Sequence, residues 1–105
     1  DRALSPRIAR VVAGRDVAHG YHLYVVRVRE RERVREALRQ RAIMTGVHYP
    51  DAIHRMRGYA FLGLPAGSLP HTEALAAEVL SLPLYPELPE ASVDRVAAEL
   101  NKLVV

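Results

Sequence analysis

Cysteine is absent from the 105 residues, and lysine occurs once, as Lys102. Without thiols there is no disulfide framework, no thiolate zinc site and no cysteine nucleophile. The single lysine means that any chemistry needing a side-chain amine has Lys102 alone to use. No apolar run approaches the roughly 18 residues that a membrane-crossing helix requires, and Asp1 to Arg10 lacks the apolar core of a signal peptide. The expectation is a cytoplasmic protein. A glycine-rich phosphate loop of either common kind is also missing, so tight binding of a phosphorylated cofactor is not expected of this chain by itself.

What is present has the composition of a globular domain: 50% hydrophobic residues, 26% charged and a net charge of +3. A chain of this length forms one domain, able to bury roughly 65% of the surface exposed by its unfolded form. Fourteen of the fifteen basic residues are arginine, the choice a GC-rich coding sequence favours, so the basic balance does not by itself select an anionic partner. The chain starts at Asp1 rather than at methionine and is read as a piece of something longer.

Strands and amphipathic helices alternate along it. Tyr21 to Val28 is β-branched and aromatic, with no glycine or proline, and predicts a strand. From Glu30 to Arg41 a helix is predicted, with Val34, Ala37, Leu38 and Ala42 as its apolar stripe. Ile43 to Tyr49 reads as a second strand ending at Pro50. Residues 51–69 carry three glycines and Pro65, the marks of a long connection with one helical turn around His54 to Tyr59. Pro70 opens a helix whose apolar face is Leu75, Ala76, Val79 and Leu80. Leu82 to Tyr85 follows as a third strand, placed at an edge because Pro83 cannot donate to a ladder. Glu90 to Leu103 closes the chain as a helix with Val93, Val96, Ala97, Leu100 and Leu103 on one face.

This order fits an α/β (α+β) two-layer domain, a small sheet of about three strands covered by helices on one face. So few helices leave the other face open, and it is expected to pack against another domain or subunit.

Three strings carry a resemblance. Tyr21-His22-Leu23-Tyr24-Val25-Val26-Arg27, Thr45-Gly46-Val47-His48-Tyr49-Pro50, and Ala77-Glu78-Val79-Leu80-Ser81-Leu82-Pro83-Leu84-Tyr85-Pro86 resemble, in order and spacing, the C-terminal small domain of the DegT/DnrJ/StrS sugar aminotransferases. His54 and Tyr59-Ala60-Phe61-Leu62-Gly63 also resemble that family's usual loop. The resemblance runs from Tyr21 to Leu103 and makes residues 21–105 the small domain, its sheet mostly antiparallel. Residues 1–20 fit it poorly and are read as the end of a preceding helix with its connection.

The resemblance implies a fold-type I enzyme, usually a homodimer, that moves an amino group from glutamate or glutamine to a keto-sugar nucleotide. It places pyridoxal phosphate (PLP) in a large domain that this chain lacks, with the small domain capping the site. It also implies that His48, Tyr49 and His54 lie near the sugar-nucleotide pocket. No catalytic, cofactor-binding or metal-binding residue is assigned to this chain, and alone it is expected to be inactive. A PLP-dependent sugar dehydratase of the same architecture differs at a residue outside the chain, and a free-standing binding or self-associating module is the third reading.

Other groupings read more simply. His19 and His22 are three apart, and in a strand such residues point to opposite faces, which argues against a shared metal. Arg31, Arg35 and Arg39 form a stripe, but Glu30, Glu32 and Glu36 are interleaved with it, as on a solvated, salt-bridged helix face. No nucleic-acid motif is recognisable.

Overall fold

Two strands form the centre of the molecule. β2, Tyr24–Arg27, runs antiparallel to β3, Val79–Leu82, in the register Tyr24↔Leu82, Val25↔Ser81, Val26↔Leu80 and Arg27↔Val79. β1, Ala9–Arg10, pairs antiparallel with the other side of β2, giving the sheet order β1-β2-β3. Among the described residues three α-helices complete the domain: α1, Arg31–Arg39; α2, Pro70–Glu78; and α3, Glu90–Val104. This is a computed structural model, and it describes residues 1–104. The expected two-layer architecture, a small antiparallel sheet with helices, is the one found.

Pleating divides the sheet residues between two faces. Val26, Val28, Leu80 and Leu82 turn toward α1 and α3 and join Val34, Leu38, Ala97 and Leu100 in the core. Val25, Arg27, Val79 and Ser81 belong to the opposite face. The helices reach the core as their periodicity predicts: α1 buries Val34 and Leu38, and α3 buries Ala97 and Leu100.

The N-terminal residues depart from the helix end predicted over residues 1–20. Turns lead into β1, and Leu4 and Ile8 are buried in the core. Asn101 on α3 fixes this segment, its Oδ1 accepting from the Ser5 N–H at 2.8 Å and its Nδ2 donating to the Ala3 carbonyl at 2.9 Å. These contacts span nearly the whole chain and leave no local periodicity to read.

The strand predicted from Ile43 to Tyr49 shrinks to a single bridge, Gly46↔Ser81. Its beginning is taken up in closing α1. Ala42 adopts a left-handed conformation (φ 57°), and Ala42 and Ile43 donate back to Arg39 and Leu38 at 2.9 and 3.0 Å. That is a Schellman closure, and it removes Ala42 from the helix stripe and Ile43 from any ladder. Likewise Tyr21, at φ 46°, breaks the predicted extended run, so β2 begins at Tyr24.

The third strand lies earlier than Leu82 to Tyr85. Val79 turns extended at the end of α2 (φ −66°, ψ 133°), and the strand stops at Leu82, before Pro83. β3 is an edge strand, as expected of a segment halted by proline. Val79 and Leu80 therefore leave the helix face to which their spacing assigned them. With them gone, α2 buries no residue, and its apolar side stays open.

The radius of gyration is 15.5 Å, against about 13 Å for a compact domain of this size. The excess comes from segments that add little to the core: residues 11–22 and 55–67 are exposed throughout.

Candidate functional site

On the sheet face turned away from α1 and α3, the loop after α1 meets α2 in an open groove of about 530 Å³. His48 and Tyr49 stand along it. The loop contributes Ile53, Met56 and Tyr59, and α2 contributes Thr72, Leu75 and Ala76, which lie on one helix face.

Gly46 and Ser81 set the direction of His48. Their backbones exchange two hydrogen bonds, Gly46 N–H to the Ser81 carbonyl at 3.0 Å and Ser81 N–H to the Gly46 carbonyl at 2.8 Å. The Ser81 side chain, on the open sheet face, is buried and lies 2.9 Å from His48 Nδ1. His48 folds its ring over Gly46, where a Cβ would stand 2.7 Å from His48 Cε1. Nδ1 is thus occupied, and Nε2 makes no hydrogen bond among the described residues. Tyr49 is 72% exposed and meets the His48 ring edge to face, at 82° with centroids 5.6 Å apart.

His54 goes elsewhere. Its side chain is 3% exposed, does not line the groove, and lies with Nε2 2.8 Å from Glu73 Oε1. The structure therefore brings His48 and Tyr49 together and sets His54 behind the loop. Glu73 also accepts from the Gly67 N–H at 2.9 and 3.0 Å and from the Leu69 N–H at 3.5 Å. The hydrogen bond from His54, followed by that from Gly67, holds the Glu73 carboxyl below the usual carboxylate range. Because a carboxylate only accepts, His54 Nε2 carries the proton and donates.

A depressed carboxylate stabilises the fold above its unfolded-state pKa, and that contribution disappears as pH falls through the lower folded-state value. Glu32, Glu36 and Glu99 are also held low, chiefly by hydrogen bonds from Arg31, Arg39 and Lys102 respectively, so acid weakens wild-type and variant alike. Glu73→Gln should nevertheless lose less stability than wild type below about pH 4.3. Denaturant titrations at a series of acid pH values measure this, and parallel profiles would show that Glu73 contributes nothing.

The residues present do not suit PLP. Lys102 lies on α3, where its Nζ is paired with Glu99 at 2.7 Å, and it lines none of the groove. Its side chain is 67% exposed, so no dry pocket encloses the amine that the chemistry of PLP would require.

Two site residues escape the sequence reading. Ser81 could have been noticed as the one polar residue in Val79-Leu80-Ser81-Leu82, since a serine in an apolar strand needs a partner. Glu73, in the first turn after Pro70, looks like an ordinary helix-start acid, and nothing local pairs it with His54. Elsewhere, His19 Nδ1 accepts the Tyr21 N–H at 2.8 Å, and the α1 arginines Arg31, Arg35 and Arg39 pair with Glu32 and Glu36.

Compared with known proteins, residues 4–101 match the model of the DegT/DnrJ/EryC1/StrS aminotransferase family. The chain belongs to that family. It is 44% identical over 81 residues to the erythromycin biosynthesis sensory transduction protein EryC1 of Saccharopolyspora erythraea, an alignment covering 77% of this chain and 22% of that protein. It is 41% identical over 87 residues to a dTDP-3-amino-3,4,6-trideoxy-alpha-D-glucose transaminase of Micromonospora megalomicea subsp. nigra, covering 82% and 23%. Among solved structures it superposes on S. venezuelae DesV, crystallised with a ketimine intermediate, with a TM-score of 0.86 and 36% identity over 92% of this chain and 26% of that one. The chain thus spans about a quarter of the length of these relatives. Among the described residues no helix is long and apolar enough to cross a membrane.

Proposed function

We propose that this chain is the small, capping domain of a PLP-dependent aminotransferase that moves an amino group from glutamate or glutamine to a keto-sugar nucleotide. The family match over residues 4–101, made with relatives some four times longer, carries the reading. Under it, the cap includes the N-terminal residues, since β1 pairs with β2 and Leu4 and Ile8 lie in the core. The rest of the polypeptide holds PLP, its lysine and most of the phosphate contacts. The relative named as a dTDP-amino-sugar transaminase supports a sugar nucleotide as substrate. The exposed Tyr49, Tyr59, Phe61, Leu62 and Leu64 supply apolar surface for the large domain and for a second copy in a homodimer.

Within the groove, His48 Nε2 is free to hydrogen-bond the ligand, and Tyr49 offers a ring to stack and a hydroxyl to bond. Asp51 is the one charged side chain among the groove's lining residues, so the groove suits a hydroxylated sugar ring better than its diphosphate. The apolar walls shed water from the ligand as it enters. This chain's share of the work is to bind, orient and exclude solvent.

The test is steady-state kinetics of the full-length polypeptide with PLP, an amino donor and a keto-sugar nucleotide. Besides the Ser81 contact, His48→Ala removes one hydrogen bond to the ligand, which to a neutral sugar hydroxyl contributes about 0.5–1.5 kcal/mol. The expected outcome is a KM for the sugar nucleotide raised up to about tenfold, with the fold intact. Unchanged kinetics would take His48 out of the site.

A further inference from the structure

The two walls of the groove are joined by a contact that lies outside it. The loop wall has little to fix it: residues 55–67 are exposed, and the segment is built from the short 3₁₀ turns Ile53–Arg55 and Arg57–Leu62, whose hydrogen bonds are poorly aligned. Ala52 and His54 are the buried residues at its start. The other wall is the Thr72, Leu75, Ala76 face of α2, and Glu73 stands next to Thr72 in that helix.

One carboxylate ties these parts together. Glu73 receives His54 from the start of the loop, and Gly67 and Leu69 from its end. Two backbone donors fix the carboxylate, and the buried imidazole is fixed by the carboxylate in turn. The partner nitrogen, His54 Nδ1, is buried with no hydrogen-bond partner. Among the described residues Glu73 is therefore the only polar contact of the ring. Without it an imidazole with two unpaired nitrogens would stay buried at a cost, and the ring gains by moving out to water. Ile53 flanks His54 in the chain and Met56 follows two residues on, and both line the groove, so the wall moves with the ring.

We propose that Glu73 and His54 are positioning residues: they set the separation between the loop and helix walls, and hence the fit of the sugar nucleotide against His48 and Tyr49, without touching it. This rests on the reading of the groove as the sugar-nucleotide site.

The full-length polypeptide tests it through Glu73→Ala and Glu73→Gln. For Glu73→Ala the KM for the sugar nucleotide should rise about tenfold, equivalent to about 1.4 kcal/mol of binding, while kcat and the KM for the amino donor stay within about twofold. Backbone hydrogen exchange should speed up across residues 53–69 and not in β2 and β3. Glu73→Gln, whose amide oxygen still accepts from Nε2, should restore most of the affinity. The proposal is overturned if the loop's exchange rises while KM is unchanged, if the loss falls on kcat alone, or if exchange in the loop does not change. Should Glu73→Ala unfold, Glu73→Gln and His54→Gln are judged by the same division between KM and kcat. Calorimetric titration with the keto-sugar nucleotide separates the two readings. A wild-type polypeptide that binds but does not transfer removes the aminotransferase reading and leaves the clamp to be judged by affinity, whereas one that neither binds nor transfers removes both.

Discussion

Leu80→Ala is expected to destabilise the fold by about 3 kcal/mol, within the 2–5 kcal/mol typical of a buried leucine cut to alanine. Leu80 is fully buried and stands opposite Val26 in the β2–β3 register. It belongs to the cluster that includes Val34 and Leu38 from α1 and Ala97 and Leu100 from α3. The truncation opens a cavity where sheet and helices meet, and the antiparallel pairing keeps the strands from closing around it. Domains carry only about 5–15 kcal/mol of net stability, and this one spends 11–22 and 55–67 on exposed chain. The midpoint of thermal unfolding should fall by about 12–24 °C. Val12→Ala, at a side chain 82% exposed, serves as the control and should change stability by no more than about 0.5 kcal/mol. Comparable effects at the two positions would mean that the core is not where the burial pattern puts it.

Gly46→Ala should have the largest effect on the site itself. The added methyl would stand 2.7 Å from His48 Cε1, closer than carbon atoms approach, and the ring is the part free to move. It swings away and gives up Ser81, leaving a buried hydroxyl without its partner, a cost of about 1–3 kcal/mol. On the proposed reading of the groove, sugar-nucleotide affinity in the full-length polypeptide should drop as far as in His48→Ala. A double-mutant cycle makes the cause visible. If the ring is what the methyl strikes, adding Gly46→Ala to His48→Ala costs little more, and the coupling energy lies in the range of about 0.5–3 kcal/mol found for residues in contact. Strict additivity would place the damage in the Gly46–Ser81 backbone pair instead.

These two variants mark the boundary between what could and could not be read locally. The stripe of Val34 and Leu38, the stripe of Ala97 and Leu100, and the β-branched run through Val26 each bury residues through their own periodicity, so neighbours in sequence suffice to find them. The same reasoning put Val79 and Leu80 on a helix, because their spacing after Leu75 and Ala76 suits a helical face as well as the start of a strand. Pairing with β2 settled the matter, since a strand there completes a ladder and places Leu80 against Val26.

His48, Tyr49 and His54 stand out in the sequence as members of a familiar string, and the string does not say which way each side chain turns. Gly46 and Ser81 aim His48, while Glu73 draws His54 behind the loop. The partners are 19 residues apart for His54 and 33 for His48. Still longer is the reach by which Asn101 binds Ala3 and Ser5, adding Leu4 and Ile8 to the core.

By itself the sequence determined the absence of thiol chemistry, the single lysine, the stripes of α1 and α3, the central strand and the family. All of these follow from residue identity or from patterns within one element. The tertiary structure alone decided the start of the third strand, the open side of α2 and the division of His48 and Tyr49 from His54. Each of those depends on a contact between distant parts of the chain, where a hydrogen-bonding partner or a filled space, rather than local preference, lowers the free energy of one arrangement below the rest.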